Sequence, residues 1–186
     1  GYGDKFLELI NISRITQTDL RDVYNASHVR YKADWRMVDY VDKGLRHYKN
    51  IYHLLDYTDL LLQFVHQEVA PKLEVVIIDE AQDLSAVQWS MVKLLAQKAE
   101  HVFIAGDDDQ AIYRWAGADI DTFLNLKGTI KTLDQSYRIP AKHHRISQKL
   151  IHRVVNRFKK DFRPKNEEGE LHWHRYSEQV DLSAGE

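Results

Sequence analysis

The sequence contains no cysteine, which excludes disulfides and thiolate chemistry and fits an intracellular, cytoplasmic chain. Only three prolines and eight glycines occur, and there is no internal repeat or low-complexity tract. Neither charge sign dominates, with 26 Lys and Arg against 28 Asp and Glu. The net charge of −2 gives no global electrostatic case for nucleic acid, so any such surface must be local. No apolar run approaches the roughly 18–20 residues that cross a bilayer. The opening Gly1-Tyr2-Gly3-Asp4-Lys5 lacks a secretory signal's basic start and apolar core, so no membrane partner is expected. Ten histidines are present without metalloprotease or finger spacing, and His143, His144, His152, His172 and His174 read as solvated or packing residues. What remains is a 186-residue chain, 44% hydrophobic and 29% charged, long enough to bury one sizeable core.

Two stretches organise it. Val75-Val76-Ile77-Ile78 runs into Asp79-Glu80-Ala81-Gln82-Asp83, and Val102-Phe103-Ile104-Ala105 runs into Gly106-Asp107-Asp108-Asp109-Gln110. Runs apolar at every position predict strands buried on both faces of a parallel sheet. Their acidic ends fall at the carboxyl edge, where open α/β folds place ligands. Between them Ser85 caps a helix that runs to about Gln97, with Gln88 completing a capping box. The three segments form a β-α-β unit.

The rest of the chain is read around that unit. Residues 1–55 are expected to be a helical region, with a short helix from Lys5 to Ile12, a second capped by Thr18, and an amphipathic one over 34–48. The aromatics Tyr24, Tyr31, Trp35, Tyr40, Tyr48 and Tyr52 of this region, with Tyr57 just beyond it, are interspersed with Arg and Lys, which suits either helical packing or a single-strand stacking surface. Asp56 and Asp59 open a helix over Leu60 to Val69, ended by Pro71. A helical turn is expected over 118–126. A third strand is predicted at Thr129-Ile130-Lys131-Thr132-Leu133, ending in Asp134-Gln135-Ser136-Tyr137-Arg138. From Pro140 a long helix is expected, with the core stripe Ile146, Leu150, Ile151, Val154, Val155 and Phe158. Its other face is basic: Lys142, Arg145, Lys149, Arg153, Arg157, Lys159, Lys160, Arg163 and Lys165 face one acid, Asp161. That face suits solvent, nucleic acid or polyphosphate. Residues 170–176 alternate like one strand, Gln179 to Glu186 look frayed, and 166–186 are expected to be a linker or the start of a further domain.

Adjacent acids after a strand suit nucleoside-triphosphate hydrolysis. Asp79 can hold a water of a hydrated magnesium ion, which demands hard oxygen ligands. Glu80 points differently and can orient and deprotonate the attacking water. Gln110, ending the next strand, can sense the terminal phosphate, and Arg138 can neutralise charge on the transferred phosphoryl group. Tyr113 and Trp115 flank Arg114, pairing flat rings with a guanidinium as base stacking and phosphate contact require; burial beneath the sheet edge is the other reading.

Asp79-Glu80-Ala81-Gln82-Asp83, then Gly106 to Asp119, then Leu133-Asp134-Gln135-Ser136-Tyr137-Arg138 closely resemble helicase motifs II, III and IV of the UvrD/Rep-like branch of superfamily 1. Asp56-Tyr57-Thr58-Asp59-Leu60-Leu61 is similar to the aromatic-acidic element before motif II. The resemblance covers about residues 56–165. It implies an α/β, RecA-like parallel-sheet motor domain over 56–165, with 1–55 corresponding loosely to a helical insertion. It also implies ATP as substrate, magnesium as cofactor, and single-stranded or partly duplex DNA as partner. Asp79 would bind the metal, jointly with Glu80 through water, and Glu80 would activate the attacking water. Gln110 would link the γ-phosphate to DNA, Tyr137 would stack on adenine, and Arg138 would contact the γ-phosphate. Tyr113, Arg114 and Trp115 would meet DNA, and Gln82 with Asp83 would couple the two sites.

Ala116 departs from the family pattern, where many relatives carry arginine. A Gly-x-x-x-x-Gly-Lys-Ser/Thr phosphate loop is absent, as are the later motifs of the second motor domain. The chain therefore reads as an internal piece of an ATP-dependent DNA helicase, its phosphate-loop strand and other motor domains missing, and inactive alone. The alternative is a non-enzymatic nucleic-acid-binding fragment or a degenerate regulatory relative. Translocation polarity, natural substrate and oligomeric state are not encoded in these motifs.

Overall fold

The N-terminal helix α1 (Tyr2–Thr16) is longer than the short helix expected over 5–12. Phe6, Leu9 and Ile10, at three- and one-residue intervals, are buried and form its core side. The computed structural model describes residues 2–176, so the expectation for Gln179 to Glu186 falls outside the described residues. Helix α2 (Leu20–Ala26) is capped by Asp19, whose carboxylate accepts from the Arg21 amide, rather than by Thr18. The shift is physically reasonable, since aspartate outranks threonine at that position. Helix α3 (Trp35–Tyr52) starts on the Asp34 cap and ends at His53 in the left-handed region. Phe6, Leu9, Tyr24 and Val38 form a core surrounded by Leu20, Val23, Trp35 and Val41. Tyr24 packs on Trp35 at 5.5 Å between ring centroids, and its hydroxyl donates to the Ala33 carbonyl at 2.8 Å. The aromatic set is thus divided: Tyr24 and Trp35 serve packing, while Tyr31, Tyr40, Tyr48, Tyr52 and Tyr57 are exposed.

Helix α4 (Tyr57–Gln67) begins three residues before the expected Leu60, because Asp56 and Asp59 form a complete capping box. Both acids also belong to an ion network. The Arg14 guanidinium donates to both oxygens of Asp56, at 2.8 and 3.0 Å, and also pairs with Asp59. Lys49 pairs with Asp59 at 2.7 Å and with Asp56. Arg14 comes from α1 and Lys49 from α3, so the network joins three helices. The Arg14 hydrogen bond, aided by Lys49, holds the Asp56 carboxyl well below the usual carboxylate range. Asp56 therefore ionises at lower pH in the folded chain than in the unfolded one. Its stabilising contribution is complete above the unfolded value of about 3.9 and is lost as pH falls below it. Melting temperatures of wild type and Arg14→Ala, measured from pH 3 to 7, should differ most above pH 5 and draw closer toward pH 3. A gap that stayed constant across that range would remove the network from the account.

Strands β1 (Leu73–Ile78) and β2 (Ala99–Ile104) pair in parallel, with Val75 opposite His101 and Ile77 opposite Phe103. They are joined by α5 (Ala86–Ala96), which starts at the expected Ser85, whose amide donates to Gln88 Oε1 at 2.8 Å. Helix α5 packs against the sheet and against α1 and α4. Burial on both faces is not observed. Val76 is the buried β1 residue, whereas Val75, Ile77 and Phe103, which share a face by register, are exposed. Among the described residues the sheet has two strands, too few to be enclosed like the centre of a wide parallel sheet.

The chain forms two compact units, Gly1–Leu126 and Lys127–Glu186. In the second, 129–133 is not a strand, and Ile130 and Leu133 are exposed. A lone run of β-formers gains nothing without a neighbouring ladder. An isolated parallel bridge there joins Gln135 to Arg163. Helix α6 (Ala141–Ile151) is shorter than expected, closing through Arg153 N–H to Leu150 O and Val154 N–H to Ile151 O. Leu150, Val154 and Val155 are exposed while Ile146, Ile151 and Phe158 are half-buried, so only part of the anticipated stripe packs. Residues 170–176 form no ladder, and Trp173 lies exposed. Among the described residues no helix is long and apolar enough to cross a membrane.

Candidate functional site

Parallel pairing puts the ends of β1 and β2 on one edge, and the ladder continues into the loops. Ala105 N–H donates to Ile78 O at 2.8 Å and Ala81 N–H to Ala105 O at 2.9 Å. Asp79 and Glu80 are exposed at this edge. Asp79 Oδ1 accepts from the Glu80 amide at 2.9 Å, leaving Oδ2 for another donor or a hydrated cation. Glu80 takes φ 51° and ψ 39°, a left-handed conformation uncommon for a residue with a side chain. Such strain concentrates at functional sites. Here it turns Glu80 away from the strand direction and starts the helical turn Ala81–Asp83.

Behind these acids sits Gln82, 2% exposed. Its Nε2 donates to Glu80 Oε2 at 2.8 Å, and its Oε1 accepts from the Asp107 amide at 2.9 Å. Asp107 Oδ2 in turn accepts from Gln110 Nε2 at 2.7 Å. One path of hydrogen bonds therefore runs from Glu80 through Gln82 and Asp107 to Gln110, linking the two strand-end loops. Gly106 permits it, because a Cβ there would stand 2.7 Å from Gln82 Oε1 and 3.0 Å from Phe123. Asp83 is half-buried, its Oδ2 3.4 Å from Gln82 Nε2 and its Oδ1 without a protein partner. Among the described residues no group of three or more His, Cys, Asp or Glu is gathered to chelate a metal. The donor set instead suits an ion that keeps most of its water and touches one or two carboxylates, as magnesium does.

The loop after Gln110 leads to a turn over Arg114–Ala116, closed by Gly117 at φ 98°. Tyr113 and Trp115 are exposed, Trp115 at 72%, so burial beneath the sheet edge is excluded. Arg114 pairs with Asp121 on the surface. The turn is held from both sides. Ser85 bridges to Ala118, Asp119 N–H donates to Leu84 O at 2.8 Å, and Trp89 Nε1 donates to Asp119 O at 3.1 Å. Ile15 of α1 fills the space beside Gly117, where a Cβ would lie 2.7 Å from its Cδ1. Sequence reading did not single out Trp89, Gly106 or Asp107 as site supports; glycine directly after an apolar strand was the available signal.

Asp79, Glu80, Gln82, Asp83, Gln110, Tyr113, Arg114 and Trp115 all belong to the first unit, and Tyr137 and Arg138 to the second. There Ser136 is buried and its Oγ accepts from the amides of Arg138 (3.2 Å) and Ile139 (2.9 Å). Gln135 Nε2 donates to Pro164 O at 2.9 Å. This turn leaves the Tyr137 ring and the Arg138 side chain exposed.

The family model for the UvrD/REP helicase N-terminal domain matches residues 6–131, more than half of the chain. The chain belongs to this family. Its relatives include DNA helicase II of Haemophilus influenzae, 33% identical over 138 residues, covering 72% of this chain and 18% of that protein. ATP-dependent DNA helicase PcrA of Bacillus subtilis is 32% identical over 121 residues, 62% of this chain and 16% of the relative. ATP-dependent DNA helicase Rep of Buchnera aphidicola is 29% identical over 122 residues, 58% and 18% respectively. The chain thus spans less than a fifth of the length of these three relatives. The matched UvrD/REP region contains both strand-end loops and the Tyr113–Trp115 turn; Tyr137 and Arg138 lie beyond it.

Proposed function

We propose that the chain is part of an ATP-dependent DNA helicase motor of RecA-like fold, which hydrolyses ATP to move along single-stranded DNA and open duplex. The observation that carries this reading is the hydrogen-bond path Glu80–Gln82–Asp107–Gln110, which joins a carboxylate suited to activating water to an amide suited to sensing phosphate. In this reading Asp79 holds hydrated magnesium, which when bound neutralises phosphate charge. Glu80 takes the proton of the attacking water. Gln110 exchanges Asp107 for a terminal phosphate oxygen, and Gln82 transmits that exchange to Glu80. Tyr137 stacks on the base and Arg138 meets the phosphate.

Trp115 and Tyr113 bind nucleobases by stacking, with Arg114 near the phosphates. Stacking contributes about 1–3 kcal/mol per base, so Trp115→Ala should weaken single-strand binding about 5- to 150-fold. Fluorescence anisotropy with a labelled oligonucleotide measures this, and an unchanged affinity would remove Trp115 from the DNA site. The 186 residues contain no phosphate-loop sequence, so we expect no ATP turnover from them alone.

A further inference from the structure

In the second unit the loop 134–139 is tied, almost residue by residue, to a strap formed by residues 163–169. Arg163 N–H donates to Asp134 O at 2.6 Å, Ser136 N–H to Arg163 O at 2.9 Å, and Gln135 Nε2 to Pro164 O at 2.9 Å. Lys165 N–H donates to Ile139 O at 2.9 Å. The first amides of α6, those of Ala141 and Lys142, donate to Glu167 O and Glu168 O at 2.8 and 2.9 Å. Gly169, at φ 71°, lets the strap close over Pro140, since a Cβ there would stand 2.5 Å from Pro140 Cβ. Tyr137 and Arg138 stand out from this pairing. The Tyr137 ring is 88% exposed, and the Arg138 guanidinium is exposed and, among the described residues, unpaired. The contact that does reach Arg138 comes from Ser136, which is buried and whose Oγ accepts the amides of Arg138 and Ile139. One short hydroxyl side chain thus folds the backbone under Arg138 into a turn, as serine does when it bonds amides just ahead of it.

We propose, on the reading that Arg138 meets the transferred phosphate, that Ser136 is a positioning residue for it. The Ser136 hydroxyl, backed by the 163–169 strap, presets the direction in which Arg138 leaves the backbone. The guanidinium then meets the phosphate without the loop having to be ordered first. Charge stabilisation of this kind depends on geometry at the transition state, and a misplacement of about 1 Å costs about 10²-fold in rate. Binding of the nucleotide ground state is shared among several groups and is felt less. A hydroxyl kept only to satisfy two amides would behave differently: its loss would cost stability and leave the chemistry as it was.

Steady-state ATP turnover of the full-length protein, with single-stranded DNA present, separates these roles. Ser136→Ala should lower kcat about 10- to 100-fold and shift KM for ATP less than about threefold. Ser136→Thr keeps the hydroxyl oxygen and should return kcat to within about threefold of wild type. Arg138→Ala should lower kcat at least as far as Ser136→Ala does. Adding Ser136→Ala to Arg138→Ala should then change kcat less than about twofold, because the group being positioned is already gone. Gly169→Ala, which forces the strap off Pro140, should reproduce both the kcat loss and its lack of additivity, and it carries the test if Ser136→Ala does not fold. A Ser136→Ala kcat within about twofold of wild type, or an equal loss with and without the Arg138 side chain, would overturn the proposal. With Arg138→Ala impaired, either result leaves the role of Arg138 standing. Wild-type turnover by Arg138→Ala would instead overturn that role, and the positioning role of Ser136 with it.

Discussion

Replacing Trp89 by alanine should lower the unfolding free energy by about 3–5 kcal/mol, the range for deleting a large aromatic from a packed interior. Trp89 is 1% exposed and among the largest fully buried side chains described. It sits on α5, which packs against the sheet, α1 and α4, so a cavity there loosens several elements together. Its indole also donates to Asp119 O, and that bond helps hold the turn bearing Tyr113 and Trp115. Small domains are stable by only about 5–15 kcal/mol, so a loss of this size removes from about a fifth of that margin to all of it. Trp89→Phe should keep most of the burial and lose about 1 kcal/mol with the hydrogen bond, plus a smaller packing loss. Urea unfolding of the three proteins separates these values. A cost under 1 kcal/mol for Trp89→Ala would mean that the α5–sheet contact is not the structural centre of the first unit.

The second large effect concerns chemistry. In the full-length protein, Glu80→Gln should reduce ATP turnover by about 10²- to 10⁴-fold, the span assigned to a positioned general base. The substitution is conservative in shape. A glutamine at position 80 still offers an oxygen to Gln82 Nε2, so the path to Gln110 can persist while the base is gone. Affinities for magnesium-ATP and for single-stranded DNA should therefore stay within about threefold of wild type. Pre-steady-state binding and steady-state turnover on the same preparation give both numbers. Loss of nucleotide binding with retained turnover per bound nucleotide would reassign Glu80 from base to ligand.

Several features were legible because their causes are local. Asp56 with Asp59, and Ser85 with Gln88, are capping pairs three residues apart, and both helices start there. The apolar runs before Asp79 and Gly106 fixed two strands, and their pairing brought both acidic loops to one edge. Where a partner is distant in sequence, the reading failed. Arg14 reaches Asp56 across 42 positions and Asp59 across 45, and nothing near either acid announces it. Burial of Val75 and Ile77 depends on what covers a sheet face, which alternation within one strand does not reveal. The run 129–133 has strand-forming residues and no ladder, and Val154 and Val155 have helical spacing and no core. In both cases local propensity was overridden by missing neighbours. At the site, the acidic and amide residues were visible as types. The role of Gln82 as the bridge between loops appears only in three dimensions, since its acceptor bond joins it to Asp107, 25 positions away.

Magnesium-dependent ATP turnover, measured with and without single-stranded DNA for the full-length protein and for these 186 residues, tests the central claim most directly. The account predicts DNA-stimulated turnover by the full-length protein and none above background by the 186 residues, because the phosphate cradle is not among them. Magnesium-dependent, DNA-stimulated turnover by the 186 residues alone, abolished by Glu80→Gln, would contradict it, as would a full-length protein that hydrolyses no ATP in the presence of DNA.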